Sequence, residues 1–277
     1  VGYRAPAGDG FALAGLDSGV RRAEDKTLST GMFHVGGQRR GYGDSHRGGH
    51  GWTDARKAIG DSVNTYYYRL SLDMGIRKFD EYLSLYGFGA PSGIDLAGET
   101  GGILPSPAWK EKNAGKQGPW YLGDTVISSI GQGFWKATPL QLAPPRAISR
   151  NAAHLQVVRD GMIRTVHGPG GTARVMSGGL PYQIAGKTGT AQVISRRGSA
   201  SLDPRKLPMH LRHRALFIGY APAENPTIAL AVVVEGVPPT QFREVMRASL
   251  AAIHDQRYDE LRQFDGSNTA LVDTARR

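Results

Sequence analysis

Cysteine is absent from all 277 residues, which excludes a disulfide framework, a thiol nucleophile and a thiolate metal site. That absence fits oxidising and reducing compartments alike, so it does not locate the chain. No run approaches the roughly 20 consecutive apolar residues that a bilayer span needs, so no membrane anchor is expected within this sequence. The opening residues Val1-Gly2-Tyr3 lack a signal-peptide pattern and read as an interior stretch of a longer protein. Acidic residues are also short: 24 Asp and Glu against 34 Lys and Arg leave a net charge of +10. Such a field admits nucleic acid, an anionic membrane surface or an acidic polymer as partner. Yet no helix-turn-helix, zinc-finger or aromatic ribonucleoprotein pattern accompanies it. Much of the excess is scattered over loop-like pairs, Arg39-Arg40, Arg196-Arg197 and Arg205-Lys206. We read the charge as a surface field and expect no nucleic-acid partner.

The sequence does contain enough apolar residues, 40%, to build a globular core. Phe11, Leu13, Ala14 and Leu16 predict the end of a helix that stops at Gly19, after an irregular stretch over residues 1–12. Eight glycines between Ser29 and Trp52 predict loops or short hairpins. His34, His46 and His50 fall there with Asp44; a metal site from His46, His50 and Asp44 is the alternative, but no ligand spacing is diagnostic and the histidines read as solvated loop side chains. Val63, Tyr66, Tyr67, Leu70 and Met74 share one helical face, with Asp61 or Ser62 as N-cap and Gly75 as stop. A second amphipathic piece runs from Phe79 to Tyr86. Residues 90–124 are punctuated by prolines and read as a long excursion, anchored by Trp109, Trp120 and Tyr121. Thr138-Pro139 predicts a helix start, and another helix spans about Leu155 to Val166. Three β runs follow, Tyr182–Val193, Ala215–Tyr220 and Ile228–Val234, and predict an antiparallel meander. Residues 241–254 read as helical and the last twenty or so as polar and loose.

One β run is unusual. Ala185-Gly186-Lys187-Thr188-Gly189-Thr190-Ala191 places a lysine, two threonine hydroxyls and two glycines in a strand. Glycine weakens a strand and marks a close approach of ligand or backbone, and a lysine beside hydroxyls suits an acyl substrate carrying a carboxylate. A solvated lysine on a hairpin edge would leave the same trace. Ser62-Val63-Asn64 lies at the head of the predicted helix, in the order and separation known for serine acyl-transfer sites that combine Ser-x-Asn and Lys-Thr-Gly. Further blocks agree: NTYYYRLSLDMG from Asn64, YGFGAPSGIDL from Tyr86, GQGFWKATPLQ from Gly131, GGTA from Gly170 and KTGTAQV from Lys187. Over residues 12–236 the chain resembles the peptidoglycan D,D-transpeptidase domain of elongation-specific class B penicillin-binding proteins.

The resemblance implies an α+β fold of the β-lactamase/transpeptidase type, an antiparallel sheet flanked by helices plus a helical lobe. It divides the chain into a degenerate segment over residues 1–12, an incomplete transpeptidase domain over residues 13–237 and an atypical tail over residues 238–277. It implies that Ser62 and Asn64 pass protons and hold a substrate amide, and that Lys187, Thr188, Gly189 and Thr190 bind the terminal carboxylate of a D-Ala-D-Ala stem peptide or a β-lactam. It implies partners in the cell-elongation machinery, including a lipid-II-polymerising membrane protein, at the periplasmic face of the inner membrane. No cofactor is expected. Some members bind zinc through two aspartates, a histidine and a cysteine near Ser-x-Asn; here Asp44 and His50 match, but Ser29 and Val63 stand at the other two places, so no metal is expected.

The chain departs from the family in one decisive respect. No Ser-x-x-Lys tetrapeptide occurs anywhere. The motif belongs near residues 5–10, where the sequence reads Ala5-Pro6-Ala7-Gly8-Asp9-Gly10. The nucleophile, its lysine and the helix that carries them are expected to be lost, leaving a sheet face partly uncovered. The expectation is an inactive transpeptidase domain. The alternatives are a non-catalytic pseudoenzyme that binds stem peptide or β-lactam, and a β-lactamase-like hydrolase with Glu99 as its water-activating acid.

Overall fold

A computed structural model describes residues 8–39, 41–93, 97–114, 117–142, 149, 151–178, 181–191, 208, 214–235 and 271–275. At its centre is a helix that is apolar on nearly every side. α1 (Gly8–Asp17) buries Phe11, Ala12, Leu13, Ala14 and Leu16, as a helix without a polar face must. Phe11 packs on Phe79 with ring centroids 4.9 Å apart and on Trp135 at 5.7 Å. The helix expected to be missing is therefore present, starts at Gly8 inside the stretch expected to be irregular, and covers the core.

Two short antiparallel pairs follow α1: β1 (Thr27–Ser29) with β4 (Gly51–Thr53), and β2 (Met32–His34) with β3 (Gly41–Gly43). They realise the glycine-rich hairpins expected there. α2 (Ala55–Gly60) then turns sharply into α3 (Asn64–Leu85). Gly75 ends the first helical piece of α3 as expected: it adopts φ 70° and ψ 156°, a non-helical backbone that glycine takes without a Cβ penalty. The second piece, which carries Phe79 and Leu83, continues beyond this kink.

The excursion after α3 contains two helices that the prolines hid, α4 (Pro107–Ala114) and α5 (Leu122–Ser128). Lys110 ties them together, donating to the Pro119 carbonyl at 2.7 Å and to Asp124 Oδ2 at 2.8 Å. Two of the three aromatic anchors act as expected: Trp109 packs against Phe134, and Trp120 Nε1 donates to Thr125 Oγ1, whereas Tyr121 lies exposed. α6 (Pro139–Leu142) begins at the Thr138-Pro139 signal, with Gln141 N donating to Thr138 Oγ1. α7 (Ala152–His167) is capped by Asn151, whose Oδ1 accepts from the N–H of Ala153 and of His154.

The sheet has the order β5-β6-β7-β8, with every neighbour antiparallel. β5 (Ala185–Ala191), β6 (Arg214–Ala221) and β7 (Ile228–Glu235) form the expected meander. β8 (Leu271–Ala275) adds a strand within the tail that was read as loose. The helix expected over 241–254 lies outside the described residues. Alternation along the strands gives the sheet two buried faces. Ala185, Leu216, Ile218, Ala231 and Val233 join the core built on α1, α2 and α3. Phe217, Leu230, Val232 and Val234 pack with Val166 and Met176 on the opposite side. This is the mixed α+β architecture that the resemblance implied.

Candidate active site

The register sets the site. Lys187 pairs with Ile218, and Ile218 with Ala231, so Lys187 shares the sheet face that packs against the helices. Thr188, in register with Phe217 and Val232, points to the other side. β5 lies at the edge of the sheet, where one row of backbone groups has no strand partner.

Ser62 comes to Lys187 from the turn between α2 and α3. The sequence offered Asp61 or Ser62 as the cap of α3, and neither has that role. The N-cap residue is Val63, which makes no side-chain cap bond. Asp44 caps the helix from 20 residues upstream: its Oδ1 accepts from Asn64 N at 2.8 Å and its Oδ2 from Thr65 N at 3.2 Å. Ser29 Oγ and Ser45 N donate to it at 2.7 Å each, and Ser45 Oγ at 3.4 Å. Burial pushes the Asp44 carboxyl up, but the hydrogen bonds from Thr65, Ser29, Ser45 and Asn64 outweigh it and hold it below the usual range. Asp61 meanwhile forms a two-point ion pair with Arg164 of α7, Nε to Oδ1 and Nη2 to Oδ2, each at 3.0 Å. Clamped on both sides, Ser62 sits at φ 54°. A non-glycine residue in this left-handed region costs roughly 1–3 kcal/mol and persists only where its surroundings impose it.

The result is a contact between two parts of the chain far apart in sequence: Lys187 Nζ donates to Ser62 Oγ, and to its neighbour's carbonyl, Thr188 O, at 2.9 Å. Ser62 is half-buried, whereas Lys187 is only 4% exposed. Burial lowers the Lys187 ammonium from its ordinary value of 10.5 to about 8, against an opposing pull from the Asp9 charge. Asp9 is shifted the other way: burial raises its carboxyl, and Lys187 partly offsets that rise.

Asn64, expected to join this pair, sends its Nδ2 to the Gly43 carbonyl at 3.3 Å. Thr188 Oγ1 shares a hydrogen bond of 2.6 Å with Thr172 Oγ1, and Thr190 is exposed beyond it. Three residues at the site carried no assigned role in the sequence reading. Thr172 belongs to the GGTA block, whose match in the chain order was its only signal. Asp9 and Tyr67 had none. Yet a Cβ on Gly8 would lie 3.0 Å from Tyr67 Oη and 3.4 Å from Lys187 Cε, so the first turn of α1 abuts the lysine. The Tyr67 hydroxyl is buried with no hydrogen-bond partner among the described residues.

The residues that match the family's zinc ligands do not fit a metal. Asp44 already accepts five hydrogen bonds, His50 Nε2 is 2.9 Å from Ser45 Oγ, and Val63 is fully buried and apolar. Among the described residues no group of three or more His, Cys, Asp or Glu is placed to hold an ion.

Comparison with known proteins agrees with this geometry. The penicillin binding protein transpeptidase domain matches residues 11–147 and 144–252. Peptidoglycan D,D-transpeptidase MrdA of Escherichia coli K12 is 30% identical over 258 residues, covering 81% of this chain and 40% of its own. The MrdA of Acinetobacter baumannii is 35% identical over 263 residues, covering 81% of this chain and 38% of its own. Among solved structures, Pseudomonas aeruginosa PBP2 in complex with WCK 5153 superposes with a TM-score of 0.71 at 34% identity, covering 84% of this chain and 56% of that one. Helicobacter pylori PBP2 in complex with MreC gives a TM-score of 0.70 at 29% identity, covering 85% and 45%. The chain spans about 40% of the length of these curated relatives. With Lys187 on the sheet edge, Ser62 against it and the match running through both, the chain belongs to the penicillin-binding protein transpeptidase family.

Proposed function

We propose that this chain is the recognition part of a peptidoglycan transpeptidase of the cell-elongation type, binding D-Ala-D-Ala stem peptides and β-lactams but without cross-linking turnover through the usual serine. The observation that carries this reading is the Lys187–Ser62 contact beside the Thr188–Thr172 hydroxyl pair. A terminal carboxylate fits the exposed hydroxyls of Thr188 and Thr190 with the Lys187 charge behind them. Gly189 keeps the strand edge open for the peptide backbone, and Asn64 would meet the substrate amide on leaving Gly43.

Loss of turnover follows from the sequence at the start of the chain. Ala5-Pro6-Ala7-Gly8-Asp9-Gly10 stands where the family carries its nucleophile and base, and none of these side chains offers a hydroxyl or an amine. The hydrolase alternative required Glu99 to activate water. Its carboxylate instead accepts from Ser92 N at 2.7 Å and Gly93 N at 3.3 Å, closing its own loop.

The domain would then extend over residues 13–237, with the first turn of α1 as its degenerate margin and residues 238–277 as an atypical tail. Its place would be the periplasmic face of the inner membrane. No helix among the described residues is long and apolar enough to cross a bilayer. The Helicobacter pylori complex of PBP2 with MreC supports partners from the elongation machinery. The test is competition: a stem peptide ending in D-Ala-D-Ala, added before a fluorescent penicillin, should slow its uptake, and the L-Ala-L-Ala counterpart should not. Equal slowing by both, or by neither, would remove the proposal.

A further inference from the structure

Ser62 has a setting that neither capping nor packing accounts for. Its hydroxyl does not cap α3, because Asp44 does. Its backbone is held at φ 54° between the Asp61–Arg164 pair on one side and the Asp44 bonds on the other. Its Oγ is bonded to an amine that is almost completely buried, while the serine itself remains partly open to solvent. A hydroxyl is a weak nucleophile until a base stands next to it, and a desolvated lysine is such a base.

We propose that Ser62 and Lys187 form a serine–lysine pair that accepts the acyl group of a β-lactam, in place of the Ser-x-x-Lys nucleophile that the chain lacks. The proposal rests on the carboxylate recognition assigned above for bringing the lactam to β5. It is confined to strained lactams, because one lysine serving as both base and acid is a modest catalyst for an unactivated peptide bond.

In the step, Ser62 Oγ attacks the lactam carbonyl carbon while its proton passes to the neutral Lys187 Nζ. A C–O bond forms and a tetrahedral oxyanion results. The oxyanion collapses, the lactam C–N bond breaks, and the leaving nitrogen takes the proton back from Lys187. The product is an ester on Ser62 that retains every atom of the β-lactam. Lysine ends in the state in which it began, and no oxidant or metal is consumed.

Burial places the Lys187 amine near 8, so its neutral fraction grows through the mildly alkaline range. The titratable groups that face it are Asp9 on α1 and Tyr67 on α3. Asp9 opposes the shift, and burial holds the Tyr67 hydroxyl well above its ordinary value and therefore neutral.

The experiment is intact-protein mass spectrometry of the full chain with benzylpenicillin, followed by peptide mapping. One adduct carrying the whole penicillin mass on the Ser62 peptide is expected, forming faster as pH rises through about 8. Ser62→Gly, which suits the positive φ, should remove it. Ser62→Cys should keep it as a thioester released by neutral hydroxylamine. Lys187→Met should slow it by about 100-fold or more, the range for a positioned base. No adduct, an adduct on another residue, or an unchanged rate in Lys187→Met each overturns the pair. Stem-peptide binding measured on the wild-type chain separates the two readings. Binding without a wild-type adduct leaves recognition standing and removes the pair, whereas a Ser62 adduct without peptide binding does the reverse.

Discussion

Lys187 on strand β5 and Ser62 ahead of α3 meet through a hydrogen bond that spans 125 residues of sequence. The same burial that makes the contact works against the charge on the lysine. Its ammonium falls from 10.5 to about 8 in the fold, so the unfolded chain binds more protons between those values and stability rises with pH across that window. Lys187→Met removes the cost of burying the charge, on the order of 3 kcal/mol by the usual conversion. Urea unfolding should therefore show the variant more stable than wild type at pH 7, with the gap closing toward pH 10.5.

Asp9 opposes the Lys187 shift, so removing its charge has a definite sign. In Asp9→Asn the lysine should titrate lower still, below about 8. NMR of isotope-labelled lysine reads this directly. An unchanged or higher value would mean that the first turn of α1 does not face the amine.

Asp44 holds the start of α3 by bonding Asn64 N and Thr65 N. Asp44→Ala leaves those two N–H groups unpaired and should cost roughly 1–3 kcal/mol. Because the folded carboxyl lies below its ordinary value of 3.8, its contribution is complete above that value and is lost as pH falls through the lowered one. The difference between wild type and variant should therefore shrink only in strong acid, as thermal unfolding followed against pH would show.

Gly186 lies under the ring of Phe217, and a Cβ there would sit 2.3 Å from Phe217 Cζ. The pair buttresses β5 one residue before Lys187. Gly186→Ala should destabilise by roughly 1–3 kcal/mol, as overpacking does, and Phe217→Leu in the same chain should restore part of the loss. A neutral Gly186→Ala would show that β5 can shift, and with it the position of the lysine.

Where sequence and structure agree, the signal was local and periodic. The three β runs, the apolar face of α3 and the Thr138-Pro139 start each follow from a strand period, a helix period or a turn residue. The Lys-Thr-Gly step stood out because glycine and lysine are poor strand formers, and the fold puts it at an edge. What was not legible depends on distant partners. Nothing near Asn64 announces that its helix is capped by Asp44, 20 residues earlier, so by local pattern Ser62 looked like a cap, and only the family resemblance placed it in one site with Lys187. Gly75 reads as a stop because a positive φ ordinarily ends a helix, and the helix does break there; what the local pattern did not show is that Phe79 and Leu83 pack the next piece into the same core. The degenerate opening hid the first turn of α1, because Gly8, Asp9 and Gly10 argue against a helix that the burial of Phe11, Leu13 and Leu16 nonetheless enforces.

Equilibrium binding of a pentapeptide ending in D-Ala-D-Ala, measured by calorimetry on wild type and Lys187→Ala, tests the central claim most directly. The account predicts saturable one-to-one binding to wild type that weakens by about 10-fold or more in the variant, the worth of one charge-assisted contact. Saturable binding that is unchanged in Lys187→Ala would contradict the placement of the carboxylate on β5, and absence of binding to a folded wild-type chain would contradict the claim that this domain still recognises its family's substrate.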